Sequence, residues 1–172
     1  MDIRNAVAAD DAALEVLLRA YMQESFGRPW GGSLQALARA RAEGAVHVLV
    51  AGDVGAPIAF AAWITSYDLQ RCVSGGEILD VYVSAWDRGR GMAARLVMRV
   101  AADVQKQGGA YVRGQATSDS TVQRLYERVA VSHPGANIHV GGRAFRALAA
   151  LSGASPRAIL QALPERSWND EP

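Results

Sequence analysis

Cysteine occurs once in the 172 residues, at Cys72. A single thiol can form neither an internal disulfide nor a CxxC metal site, so a secreted disulfide scaffold is excluded and a reducing compartment is expected. Lysine is equally scarce, with Lys106 alone, and the remaining basic residues are arginines. Lys plus Arg is 18 against 17 for Asp plus Glu, a formal charge of +1, which supplies no broad basic field for nucleic acid. A nucleic-acid partner would need a local cluster such as Arg39, Arg41, Arg143 and Arg146, and none is expected. Aromatics make up 7%, and no apolar run approaches the roughly 18 residues of a membrane span. The start, Met1-Asp2-Ile3-Arg4, lacks the apolar core of a signal peptide. These absences predict a cytoplasmic protein with no membrane partner. His47, His133 and His139 are too scattered to form a metal set, and no metal is implied.

What is present is enough apolar residue, 50% of the chain, for a packed interior. The length favours a single domain over residues 1–172, with a frayed tail at about 167–172. Residues 3–7 read as a short strand. Asp10 and Asp11 then offer caps to a helix on which Leu14, Leu17, Leu18 and Tyr21 recur at helical spacing. Gly27 to Gly32 breaks that helix, and Ser33 can cap a short second one running toward Glu43. Residues 46–51 and 58–67 read as two antiparallel strands, and 77–83 as a third, after a loop holding Arg71, a half-buried Cys72, Gly75 and Gly76.

The clearest helix follows, with Met92, Ala93, Leu96, Val97, Val100, Ala101 and Val104 on one face. Gly108 and Gly109 end it, and residues 110–116 are strand-like. A strand, a helix and a strand in this order predict a βαβ crossover with a parallel pair. Ser120 precedes a further helix bearing Val122, Leu125, Tyr126 and Val129, and residues 137–148 read as a last strand. Ser155-Pro156 signals a short C-terminal helix.

The informative segment is Val81-Tyr82-Val83-Ser84-Ala85-Trp86-Asp87-Arg88-Gly89-Arg90-Gly91-Met92-Ala93, where a strand ends, a glycine-punctuated loop follows and the long helix begins. The first amides of a helix have no intrahelical partner and carry the positive end of its dipole, so Gly89, Arg90, Gly91, Met92 and Ala93 can donate to a pyrophosphate. Gly89 and Gly91 let backbone approach an anion closely, and Arg88 and Arg90 add charge at the mouth. The third glycine of the dinucleotide fingerprint is absent, and so is the Gly-Lys-Ser/Thr of a Walker A loop.

Arg88-Gly89-Arg90-Gly91-Met92-Ala93 resembles the R/Q-x-x-G-x-G/A loop of the GNAT superfamily of acyl-CoA N-acyltransferases. The resemblance extends through most of the chain to Leu125-Tyr126-Glu127-Arg128. It implies a mixed α/β (α+β) fold, a mostly antiparallel twisted sheet flanked by helices with a parallel, splayed strand pair at the acyl-CoA site. It implies acetyl-CoA as co-substrate, a small-molecule or peptide amine as acceptor, and a possible homodimer. Main-chain groups of Val81 and Val83 would pair with the pantetheine arm, and the loop amides would hold the pyrophosphate. Tyr126 would protonate the leaving thiolate, and Glu77 falls where one branch of the family carries its general base. Asp119 stands where the family often has a cofactor-contacting asparagine, and Val129-Ala130-Val131 replaces a usual Gly-Phe.

The chemistry requires such groups, because an alkylammonium with a pKa near roughly 10 must lose a proton before its nitrogen attacks. Glu77 or Asp80 can accept it. Strand alternation places these two on opposite faces unless a bulge intervenes. Tyr21, Glu24, Phe26 and Trp30, with Asp80, are candidates for the acceptor wall. The alternative function is a non-catalytic acyl-CoA-binding sensor, since the loop is better marked than any catalytic residue.

Overall fold

The computed structural model describes residues 1–115. The chain divides into two compact units, Met1–Val131 and Ser132–Pro172, and the described residues lie in the first. They form β1 (Ile3–Asn5), a 3-10 turn (Ala8–Asp10), α1 (Asp11–Phe26), α2 (Leu34–Ala42), β2 (His47–Asp53), β3 (Ala56–Asp68), β4 (Val73–Val83), a second 3-10 turn (Ala85–Asp87), α3 (Met92–Lys106) and β5 (Val112–Gly114). The sheet order is β1-β2-β3-β4-β5. The first three pairings are antiparallel and β4–β5 is parallel. The crossover from β4 through α3 to β5 is therefore the βαβ unit that the strand, helix, strand order predicts.

Alternation along β2 and β3 divides the core into two layers. Leu49, Ala51, Ala59, Ala61 and Trp63 turn to one face, where Met92, Leu96, Val100 and Val104 of α3 cover them. Val48, Val50 and Phe60 turn to the other, under Leu14 and Leu17 of α1. Each fully buried leucine or valine here contributes roughly 1.5–3 kcal/mol of transfer free energy. The two helices thus close opposite faces, and the strand ends between them are left to build a site.

Local caps follow the sequence in part. Ser33 Oγ accepts from the Ala36 N–H at 3.1 Å, as expected for the N-cap of α2. Asp10 does not cap α1 with its side chain. Its buried carboxylate instead takes both Arg4 guanidinium nitrogens at 2.6 and 2.8 Å, the Val7 N–H at 2.8 Å and the Gly55 N–H at 2.9 Å. A charged partner and two amides outcompete one helix-end amide, and the result ties β1 to the β2–β3 hairpin.

Two further expectations change. Gly75 and Gly76 belong to β4 and not to a loop before it. A Cβ at Gly75 would lie 2.5 Å from the Tyr111 ring, and one at Gly76 2.5 Å from Val104 Cγ2, so these glycines serve close packing. Cys72 is exposed, with a left-handed φ of 55°, in the turn between β3 and β4. The register of β3 and β4 is also irregular. Trp63 pairs with Ile78 but Ala62 pairs with Asp80, which leaves Leu79 as an extra residue in β4.

Candidate active site

The bulge at Leu79 sets the geometry of the site. Glu77 stands opposite Ile64 and Asp80 opposite Ala62. Ile64 and Ala62 are two apart on regular β3, so both carboxylates face the α1 side of the sheet. The opposite-face arrangement of an unbulged strand is thereby overturned.

β5 pairs with β4 only at Gly76, Glu77 and Ile78. Beyond Ile78, no strand among the described residues takes that edge. Ser84 N–H donates to Ile58 O on β3 at 2.9 Å. By alternation, the main-chain groups of Val83 and Val81 point to the opposite, open edge. Val83 O accepts there from Arg88 Nε at 3.0 Å.

Immediately after this edge, Ser84 Oγ donates to Asp87 at 2.7 Å and closes the 3-10 turn. Gly89 and Gly91 follow with φ of 79° and 71°. Nothing lies within 4 Å of a Cβ built on either. What the folded chain itself requires of these glycines is the left-handed backbone, and the space beside them stays open. Gly91 is the N-cap of α3 and no side chain caps that end. Met92 and Ala93 begin the helix there, and Arg90 stands largely in solvent, 3.6 Å from Asp87.

The α1 side is laced by two reciprocal bonds. Tyr21 on α1 donates its hydroxyl to Asp80 on β4. Tyr82 on β4 donates its hydroxyl to Glu24 on α1 at 2.7 Å. The two rings lie 5.9 Å apart, and Phe26 meets Tyr21 edge-on at 5.7 Å. Burial, reinforced by Asp80, pushes the Tyr21 phenol far above its ordinary range, so it remains a donor. Arg88 and then Tyr82 hold the Glu24 carboxyl below its usual value. Arg88 turns away from the loop mouth, pairs with Glu24 and lies 5.4 Å over the Tyr82 ring. Glu77 receives Arg113 Nε and Nη2 on one oxygen, Oε2, at 2.8 and 2.5 Å.

Glu77, Asp80, Tyr21, Glu24, Phe26 and Arg88 are therefore gathered on one side, with Val81, Val83 and the loop alongside. Trp30 packs over Gly32. Asp119 and Tyr126, like the helix after Ser120, the strand at 137–148 and the C-terminal helix, lie outside the described residues. Sequence reasoning missed Tyr82 and Arg113. Tyr82 had a signal, since it shares strand parity with Asp80, whereas Arg113 meets Glu77 only through long-range parallel register. Among the described residues no group of three His, Cys, Asp or Glu side chains could hold a metal ion. No described helix is long and apolar enough to cross a membrane.

An open strand edge that leads directly into an uncapped helix start can take an extended ligand ending in an anion. The chain belongs to the acetyltransferase (GNAT) family, which it matches over residues 12–130. No curated protein matches it. Among solved structures, it resembles the ribosomal-protein-alanine N-acetyltransferase of Brucella melitensis biovar Abortus 2308 at 20% identity, with 81% of this chain and 97% of that one covered and a TM-score of 0.63. An integron cassette protein from the mobile metagenome of V. cholerae aligns at 18% identity, 86% and 96% coverage and a TM-score of 0.67. A Trypanosoma brucei acetyltransferase aligns at 20%, 81% and 97%, and 0.62. At these identities the likeness is one of fold, a mixed α/β sheet with a parallel β4–β5 pair.

Proposed function

We propose that the protein transfers an acetyl group from acetyl-CoA to a primary amine, by direct attack within a ternary complex in the cytoplasm. The observation that carries this reading is the start of α3 behind Gly89 and Gly91, with no side-chain cap, placed at the end of the strand whose edge past Ile78 no other strand takes among the described residues. These residues fit the cofactor: the left-handed glycines leave room, the helix-start amides suit a pyrophosphate, and main-chain groups at the edge suit pantetheine amides. The amides of Gly89, Arg90, Gly91, Met92 and Ala93 would hold the pyrophosphate, with Arg90 and a reoriented Arg88 adding charge. Asp119 would add a polar contact.

Acetyl-CoA supplies a thioester, whose carbonyl carbon takes the amine nitrogen as its C–S bond breaks. Glu77 accepts one proton from the ammonium on Oε1, the oxygen that Arg113 leaves uncommitted. The freed lone pair forms the C–N bond, and the C–S pair departs with sulfur. Tyr126 gives sulfur its proton and is reprotonated, through water, by the second proton lost from nitrogen. Tyr21, Glu24, Phe26 and Trp30 form the acceptor wall, and the acceptor is a small-molecule or peptide amine.

The experiment is a thermal-shift titration with acetyl-CoA and CoA, using Gly91→Asp as the control, followed by thiol release with an amine panel. Both ligands should raise the melting temperature of the wild type and not of the variant. Absence of any shift at saturation would sink the reading. Binding without transfer to any amine would favour the sensor.

A further inference from the structure

One side chain, Arg88, ties the end of α1 to the end of β4. Its guanidinium donates from Nε to Val83 O at 3.0 Å, donates from Nη2 to Glu24 and lies 5.4 Å over the Tyr82 ring. Glu24 is held at both oxygens, Oε2 by Arg88 and Oε1 by the Tyr82 hydroxyl at 2.7 Å. Glu24 lies in the last turn of α1, and Val83 is the last residue of β4. Arg90, the other arginine of the glycine loop, meets a partner from the turn just before it, Asp87 at 3.6 Å.

This tie takes up what an extended anionic ligand would use. Val83 O points to the open edge, and the guanidinium stands on that carbonyl. A pantetheine amide running along the edge would donate to the same carbonyl, and a pyrophosphate at the start of α3 would draw the same cation. Moving Arg88 to the pyrophosphate therefore means taking it from Glu24 and from Val83. The Arg88 and Glu24 side chains are 50% and 41% exposed, so the exchange disturbs no packed core. An ion pair this open to water is weak enough for a ligand to reverse.

We propose that Arg88 is a displaceable strap on the cofactor edge and that Glu24 is the positioning residue that holds it closed. CoA binding exchanges the Arg88–Glu24 pair for a pair between Arg88 and the pyrophosphate, and it frees the Val83 carbonyl. Glu24 thus lowers the affinity for a cofactor it does not touch, because the apparent dissociation constant is the intrinsic one divided by the fraction of molecules with the strap open. The inference rests on the acyltransferase reading above.

The test is a double-mutant cycle read by calorimetric titration of CoA into the full chain: wild type, Glu24→Gln, Arg88→Gln and the double variant. Glu24→Gln should bind CoA about threefold to fivefold more tightly than wild type, the size of one partly exposed ion pair. Arg88→Gln should bind about tenfold more weakly, having lost the cation. In the Arg88→Gln background, Glu24→Gln should change the affinity by less than about 1.5-fold, because there is no strap left to release. A residue with a merely structural role would weaken CoA binding or leave it alone. Glu24→Asp keeps the charge and withdraws it by one methylene; it should tighten CoA about twofold, and it decides alone should Glu24→Gln not fold. The proposal is overturned if Glu24→Gln leaves CoA affinity unchanged or lowers it. It is also overturned if Glu24→Gln tightens CoA equally in both backgrounds, which would be removal of a negative charge and no more, or if Arg88→Gln binds CoA as well as the wild type does. Each of these leaves CoA bound and strikes the strap alone. CoA bound by none of the proteins would overturn the acyltransferase reading and the strap with it.

Discussion

Glu77 and Asp80 share one face of β4 because Leu79 bulges between them. In an unbulged strand, residues three apart point to opposite sides, and one of the two carboxylates would be lost to the α3 layer. The bulge brings both to the α1 face, where Arg113 meets the first and Tyr21 the second.

Glu77 is the proposed proton acceptor, and Glu77→Gln keeps the shape while removing the basicity. The variant should lose about 10²- to 10⁴-fold in kcat/KM. Its affinity for CoA should stay within twofold of wild type, since the proposed role of Glu77 is toward the acceptor and not the cofactor. Steady-state thiol release and calorimetric titration of CoA check the two halves separately.

Asp10 is a stability determinant. Removing it leaves Arg4, itself largely buried, and two amides without their acceptor, so Asp10→Ala should destabilise by about 3–5 kcal/mol in urea unfolding at pH 7. The Arg4 hydrogen bonds hold the Asp10 carboxyl well below the usual carboxylate range. A group depressed in the folded state stabilises above its unfolded pKa of about 3.9, and that contribution is lost as pH falls through the folded value. The stability gap between wild type and Asp10→Asn should therefore be full above about pH 5 and shrink progressively below about pH 4.

Gly76 is required for packing. Gly76→Ala sets a methyl 2.5 Å from Val104 Cγ2, in a layer where Val104 is buried. Overpacking of this kind costs about 1–3 kcal/mol. Val104→Ala in the same chain should recover part of that loss, giving a favourable coupling energy in a double-mutant cycle by chemical denaturation.

Gly91 is required for backbone conformation, because a Cβ there would touch nothing. Its φ of 71° costs an ordinary L-residue roughly 1–2 kcal/mol, and asparagine less. Gly91→Asn should melt within a few degrees of wild type, and Gly91→Val clearly lower. CoA affinity should follow the same order, as the helix start is displaced.

Much of this was legible in the residue order. The periodicity of Leu14, Leu17, Leu18 and Tyr21 announced α1, that of Leu96, Val100 and Val104 announced α3, and Ser33 marked the cap of α2. Local signals of this kind act within a turn or two of chain. Gly75 and Gly76 misled because glycine commonly marks a loop, and here a neighbouring ring and a valine occupy the space their side chains would fill. Asp10 misled because its partners, Arg4 and Gly55, come from other elements.

The sequence by itself determined the order of strands and helices, the glycine loop at the head of α3 and the set of carboxylates near the motif strand. These depend on spacing, propensity and the chemistry of helix ends, all carried by contiguous residues. The tertiary structure alone decided which carboxylate met which cation. Glu77 acquired Arg113 through parallel register 36 residues away, Glu24 acquired Arg88 across 64, and Asp80 acquired the Tyr21 hydroxyl across 59. The physical reason is that a one-residue bulge reverses every later side chain on a strand, and no local preference foretells where pairing with a distant strand will slip.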